Sequence, residues 1–249
     1  MAFQVLSALF ALLILQAIAA ASAQEFSYDP TSPFGPANWG GTCASGQQQS
    51  PISIETSNIV NQNLGCLQND YTQSQASLVI EGHAVRVNWN TSPGSLTIDG
   101  KTYNLQQCHW HSPSEHHLDG RRYALELHMV HTISASEVAV VAVLYDLGGP
   151  NDFFLDKLVN GLNELKTKVS VDLGNLEPPL IGAGEPYFRY SGSLTTPPCS
   201  QTVTWTVMQK VQRISNDQLN SLRAPANDKD NARPIQAING RTVSLSQSC

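Results

Sequence analysis

The chain has 249 residues, 41% of them hydrophobic, and its 14 Lys and Arg against 20 Asp and Glu give a formal charge of -6. That length and apolar content suffice for a full core, and all-β chains of this size commonly form one domain. The acidic balance argues against nucleic acid or an anionic membrane as a partner, since either calls for a basic patch, and no Lys or Arg occurs before Arg86.

Leu6 to Ala20 form a short apolar run followed by Ala21-Ser22-Ala23. This predicts a secretory leader over residues 1–23, cut before Gln24, and a mature domain over 24–249. Because the segment before the run has only the terminal amine as positive charge, a retained signal anchor is the alternative. No second long apolar run follows, so no membrane partner is expected after cleavage. The expected location is extracellular or another oxidising exported compartment such as a periplasm. There, disulfides persist, and the odd count of five cysteines leaves at least one unpaired or intermolecular. Asn90-Thr91-Ser92 is a glycosylation sequon in a turn-rich stretch.

Gln24 to Gln49 is rich in Pro, Gly, Ser and Gln and has no regular periodicity, which predicts an irregular arm pinned by Phe26, Tyr28, Phe34 and Trp39. Strand segments are expected at Leu78–Ile80 and Ala84–Trp89, on either side of Glu81-Gly82-His83. Ser95–Ile98 and Lys101–Leu105 flank Asp99-Gly100 as a hairpin that runs on into Gln107-Cys108-His109-Trp110-His111. Arg122–His131 and Val138–Leu144 read as further strands, the second apolar enough to be buried on both faces. Phe154, Leu158, Leu162 and Leu165 recur at helical spacing within Asp152–Lys168, and Ser215 with Gln218 has capping-box spacing at a shorter helix. Val203–Val207 is a late strand. These elements describe one predominantly β domain with few helices.

In a strand, residues two apart share a face, so His109 and His111 project together, and a neighbouring strand can bring His128 to the same point. Three imidazoles with a fourth position left free form a catalytic rather than a structural zinc site. A His-x-His pair alone is more often structural; the surrounding residues give it weight. Those residues are Gln107-Cys-His-Trp-His-Ser-Pro-Ser-Glu115-His-His and Glu126-Leu-His128-Met-Val-His131, and with them the chain resembles the α-type carbonic anhydrases from about Tyr28 to Pro234. Further matches come in the family's order: Gly46-Gln-Gln-Gln-Ser-Pro51-Ile, Gly82-His83-Ala84, Ser193-Leu194-Thr195-Thr196-Pro197-Pro198 and Asn231-Ala232-Arg233-Pro234.

The resemblance implies a large, twisted, mainly antiparallel central sheet with a few short peripheral helices and a zinc site at the base of a cavity. It implies Zn²⁺ on His109, His111 and His128, and reversible hydration of CO₂ to bicarbonate by attack of zinc-bound hydroxide. Val130, Val140, Leu194, Thr195, Thr196 and Trp205 match the family's substrate pocket. Glu115 would accept a hydrogen bond from the Thr195 O–H, since an ionised carboxylate is an acceptor only, so Thr195 keeps its lone pairs for the attacking oxygen. Gln107 and Glu126 would fix the second nitrogens of His109 and His128, with Asn231 in the supporting shell. His83 matches the proton shuttle, and an imidazole suits that task near neutral pH. Glu81 and Arg86 stand where fast members carry small neutral amides, so an altered proton path is expected.

Cys43 and Cys199 match a pair bridged in secreted members. Cys108 should be a buried thiol, while Cys66 and Cys249 either pair together or link two chains into a dimer. The alternative to an enzyme is a non-catalytic binding or storage relative, because fold does not guarantee chemistry. Retention of all three histidines, Glu115 and Thr195 favours the enzyme.

Overall fold

The structure, a computed structural model, describes residues 25–182, 184–225 and 230–247. The leader expected over residues 1–23 and the terminal Cys249 lie outside the described residues. Among those residues, a sheet of 13 strands carries nearly everything else. Its main path runs Ser170–Leu176, Ser74–Glu81, Ala84–Trp89, Lys101–His111, Leu125–Ser134, Glu137–Leu147, Gln201–Met208, Tyr187–Ser193, Ser244–Ser246, Val60–Asn61.

Turn chemistry sets the register of its centre. Asp99 and Gly100 both have positive φ, 50° and 74°, the conformation a two-residue hairpin turn needs, and they pair Ser95–Ile98 with Lys101–Asn104. Gly82, at φ 61°, opens a second two-residue turn whose other residue is His83, closed by the Glu81–Ala84 pair. The sheet is mostly antiparallel, but Glu137–Leu147 runs parallel to Gln201–Met208, and Ser244–Ser246 runs parallel to Val60–Asn61. The parallel joint makes Glu137–Leu147 a central strand buried on both faces, from Ala139 to Tyr145.

Strand alternation sorts the side chains into two layers. One face carries Leu78, Val87, Leu105, Cys108, Trp110, Leu127 and Met129, covered by the helix Phe153–Leu165 and the shorter Asn216–Arg223. Asp152 caps the first helix by accepting from the N–H groups of Phe154 and Leu155 at 2.9 Å, and Ser215 caps the second through Gln218. The opposite face packs Val140, Ala142, Leu144, Phe188, Val203, Trp205 and Val207 into a second core. The histidine face opens beside this second core. Cys108 accordingly lies buried on the helix-covered side, and burial pushes its thiol well up.

The N-terminal arm is mostly irregular, but it contains a 3-10 turn at Pro36–Asn38 and one helical turn at Thr42–Ser45 that its composition did not predict. Tyr28 and Trp39 pack with the Cys43–Cys199 disulfide, and Phe26 stacks edge-on against both rings. Cys66 is also disulfide-bonded, and its partner lies outside the described residues. No helix among the described residues is long and apolar enough to cross a membrane.

Candidate metal centre

His109 and His128 stand directly opposite each other in the antiparallel pairing of Lys101–His111 with Leu125–Ser134, and His111 stands opposite Glu126. All four side chains therefore leave the same face. One ring nitrogen from each of His109, His111 and His128 falls within a 4.8 Å group. Metal coordination requires that the remaining nitrogen of each ring be held, which fixes tautomer and aim.

Each ring meets that requirement differently. His109 Nδ1 donates to Gln107 Oε1 at 2.9 Å, leaving Nε2 for a ligand. His128 is reversed, donating from Nε2 to Glu126 Oε1 at 2.7 Å and leaving Nδ1. His111 Nδ1 donates to the backbone oxygen of Asn231 at 2.6 Å, and its Nε2 is buried with no hydrogen-bond partner among the described residues. A buried nitrogen without a partner loses the full stabilisation of a hydrogen bond, so its aim at the other two rings calls for a ligand. Burial first, then the neighbouring imidazoles, hold the His109 ring well below its ordinary range; burial likewise lowers His111. Both rings are thus kept neutral, the state a metal ligand needs. The donor set, three neutral imidazoles and no thiolate, fits zinc.

Glu126 is fully buried and all four of its acceptor directions are used. Oε2 accepts from the N–H groups of Glu115 and His116, both at 2.8 Å, and Oε1 accepts from His128 and from His116 Nδ1 at 2.6 Å. Burial alone would raise this carboxyl, but His116 and His128, by charge and by hydrogen bond, outweigh it and hold it well below its usual value. Because His116 donates from Nδ1, its Nε2 must accept, and Tyr190 O–H supplies the proton at 2.6 Å. Tyr190 in turn meets Ser50 Oγ at 2.8 Å, and Ser50 accepts the N–H of Ser193. A buried chain thus runs from Ser50, just past the N-terminal arm, to the carboxylate behind His128. The sequence gives no local signature for Tyr190 or Ser50 in this chain.

The remaining predicted residues converge on one cavity of about 380 Å³. Val130, Val140, Leu194, Thr195, Thr196 and Trp205 line it together with Gln107, the three histidines and His83, as do Phe26, Tyr28, Glu81 and Arg86. Asn231 does more than sequence reasoning assigned. Its carbonyl holds His111, its amide donates to the backbone oxygens of His83 and Trp110, and its Oδ1 accepts from Ser112 N–H. Glu115, 1% exposed, lies behind the cavity wall, where Oε1 accepts the N–H of Arg233 at 2.8 Å. The structure differs from expectation at one point: Glu115 Oε2 is buried with no partner among the described residues, and the bond expected from Thr195 is not formed. Thr195 lines the cavity, and Glu115 does not.

His83 is not a free surface ring. Its Nε2 donates to the backbone oxygen of Phe26 at 2.7 Å, and the Phe26 and Tyr28 rings pack against it at 5.0 and 5.5 Å. Away from the centre, His131 is buried on the far face against Tyr71 at 2.6 Å, and His117 is half-buried. Asn90, the sequon residue, is exposed just past the strand Ala84–Trp89.

The family model for eukaryotic-type carbonic anhydrases matches residues 34–247. The chain belongs to the α-carbonic anhydrase family. Alpha carbonic anhydrase 7 of Arabidopsis thaliana is 43% identical over 235 residues, covering 89% of this chain and 85% of that one. Dioscorin DB3L of Dioscorea polystachya is 38% identical over 232 residues, covering 88% and 85%. Among solved structures, dioscorin complexed with ascorbate aligns at TM-score 0.86 and 36% identity, covering 91% of this chain and 99% of that one. Both carbonic anhydrases and dioscorins are therefore similar to this family member over nearly its full length.

Proposed function

We propose that the protein is an exported zinc enzyme that hydrates carbon dioxide reversibly to bicarbonate and a proton. The observation that carries this is the set of three converging imidazoles, each with one nitrogen committed to a protein acceptor, one of them with a buried second nitrogen that has no hydrogen-bond partner among the described residues. Bound zinc would act there as a Lewis acid that makes water nucleophilic near neutral pH, an effect of which the carbonic anhydrases are themselves the standard example.

The chain's own residues account for the rest. Val130, Val140, Leu194 and Trp205 give an apolar wall suited to uncharged CO₂, beside the histidine face. Thr195 would have to turn its O–H towards Glu115 Oε2, which has no partner among the described residues, for its lone pairs to orient an attacking oxygen. His83 would carry the product proton outward. The Phe26 carbonyl, accepting from Nε2, holds the ring at the cavity wall for that task. Disulfides at Cys43–Cys199 and at Cys66 support passage through an oxidising compartment. Exposure of Asn90 supports its use for glycosylation where the export route allows.

The test is zinc content and stopped-flow CO₂ hydration of the protein from Gln24 onward, beside His111→Ala. Stoichiometric zinc with turnover lost in the variant is the expected result; turnover equal in the two would overturn it. The likeness to dioscorins favours a second reading, a carbonic-anhydrase-like binding or storage protein, and zinc-loaded protein without turnover would select it.

A further inference from the structure

The cavity is larger than carbon dioxide needs and contains a charge that its hydration does not use. Arg86 pairs across the sheet with His109, so its side chain leaves the strand on the metal-centre face, and it lines the cavity with Gln107, His83 and Tyr28. Its guanidinium has one protein partner among the described residues, Glu81, through Nη1 at 2.7 Å. The Nε of Arg86 is buried with no hydrogen-bond partner among the described residues.

The two members of the pair sit unequally. Glu81 is 56% exposed at the rim, while Arg86 is 24% exposed and turned inward. An ion pair with so exposed a partner holds its geometry weakly. A guanidinium offers five donors in a flat fork matched to a carboxylate, and here Glu81 meets it at Nη1. An unsatisfied buried Nε–H shows that the resting arrangement leaves part of that capacity unused.

We infer that the cavity binds small organic carboxylates, the head group drawn from solvent onto the Arg86 guanidinium in competition with Glu81, the apolar tail lying along Val130, Val140 and Leu194. The about 380 Å³ of space falls in the range of small-molecule sites, well above what three heavy atoms fill. The cavity wall supplies the apolar surface, and Arg86 supplies the orienting charge. This binding rests on the cavity and not on turnover, so it stands or falls separately from CO₂ hydration.

Isothermal calorimetry on the zinc-loaded protein from Gln24 onward would use benzoate, with benzamide as the uncharged control. Benzoate should bind and benzamide should bind far more weakly. Arg86→Gln should weaken benzoate by about tenfold or more, the scale of one lost charge-assisted hydrogen bond, while zinc content stays unchanged. Glu81→Gln should tighten it by removing the competing carboxylate. No benzoate binding, equal binding of benzamide, or equal benzoate affinity in Arg86→Gln would each overturn the inference. The last result would mean that the metal alone holds the anion.

Discussion

His109 and His128 face each other in register across two antiparallel strands, yet they present opposite nitrogens, because Gln107 holds Nδ1 of the first and Glu126 holds Nε2 of the second. The two acceptors, not the strands, decide which nitrogen points into the centre. Four consequences can be measured.

Glu126→Gln replaces an oxygen that accepts from two imidazoles with an amide that offers one acceptor oxygen and two unwanted donors. Zinc affinity should fall about 10–100-fold, as for other groups that orient metal-bound histidines. Competition against a chromophoric chelator gives the value; unchanged affinity would mean that the His128 tautomer is set elsewhere.

Tyr190→Phe removes the hydroxyl between Ser50 and His116 and leaves a buried ring nitrogen without a donor. The expected loss is about 1–3 kcal/mol of stability, read from urea denaturation, with a smaller loss of zinc affinity. The parallel Ser50→Ala should lose less, because Tyr190 can still donate to His116.

His131, fully buried and away from the metal centre, has its pKa lowered to about 4 by burial. Its folded value lies below the unfolded one near 6.5, so the unfolded chain binds the extra proton first as pH falls. Stability is therefore intact above pH 6.5 and falls progressively towards pH 4, by roughly 3 kcal/mol over that window. Urea midpoints measured from pH 7 to pH 4 should show this slope, and His131→Gln should flatten it.

His83→Ala should lower CO₂ hydration turnover most in dilute buffer, with added imidazole restoring it, if the proton leaves by this ring. Because Phe26 holds the ring through a backbone oxygen, Phe26→Ala should disturb the packing yet keep that bond, and so affect turnover less than His83→Ala. Turnover in His83→Ala that does not depend on buffer would point to another proton route.

Periodicity, turn residues and caps are local, and they made most of the architecture legible. The two-residue spacing of His109 and His111, the Asp99-Gly100 turn, the Asp152 and Ser215 caps and the apolar run through Val138–Leu144 all act within a few residues of themselves. Order in the sheet was less legible. The parallel joint between Glu137–Leu147 and Gln201–Met208 arises from packing between distant strands, which no local pattern records.

By itself the sequence determined which residue types meet at the centre: three imidazoles, Gln107 and Glu126 on alternating positions of two strands, and an apolar wall beside them. Tertiary structure decided which nitrogen of each ring is free, and that Asn231 lends a backbone oxygen to His111 from 120 residues away. It also decided that Ser50 and Tyr190, 140 residues apart, complete the chain behind Glu126, and that Phe26 clamps His83. The reason is physical. Every residue carries a carbonyl, so a backbone acceptor has no signature of its own; only the folded chain shows which carbonyl a buried N–H must find.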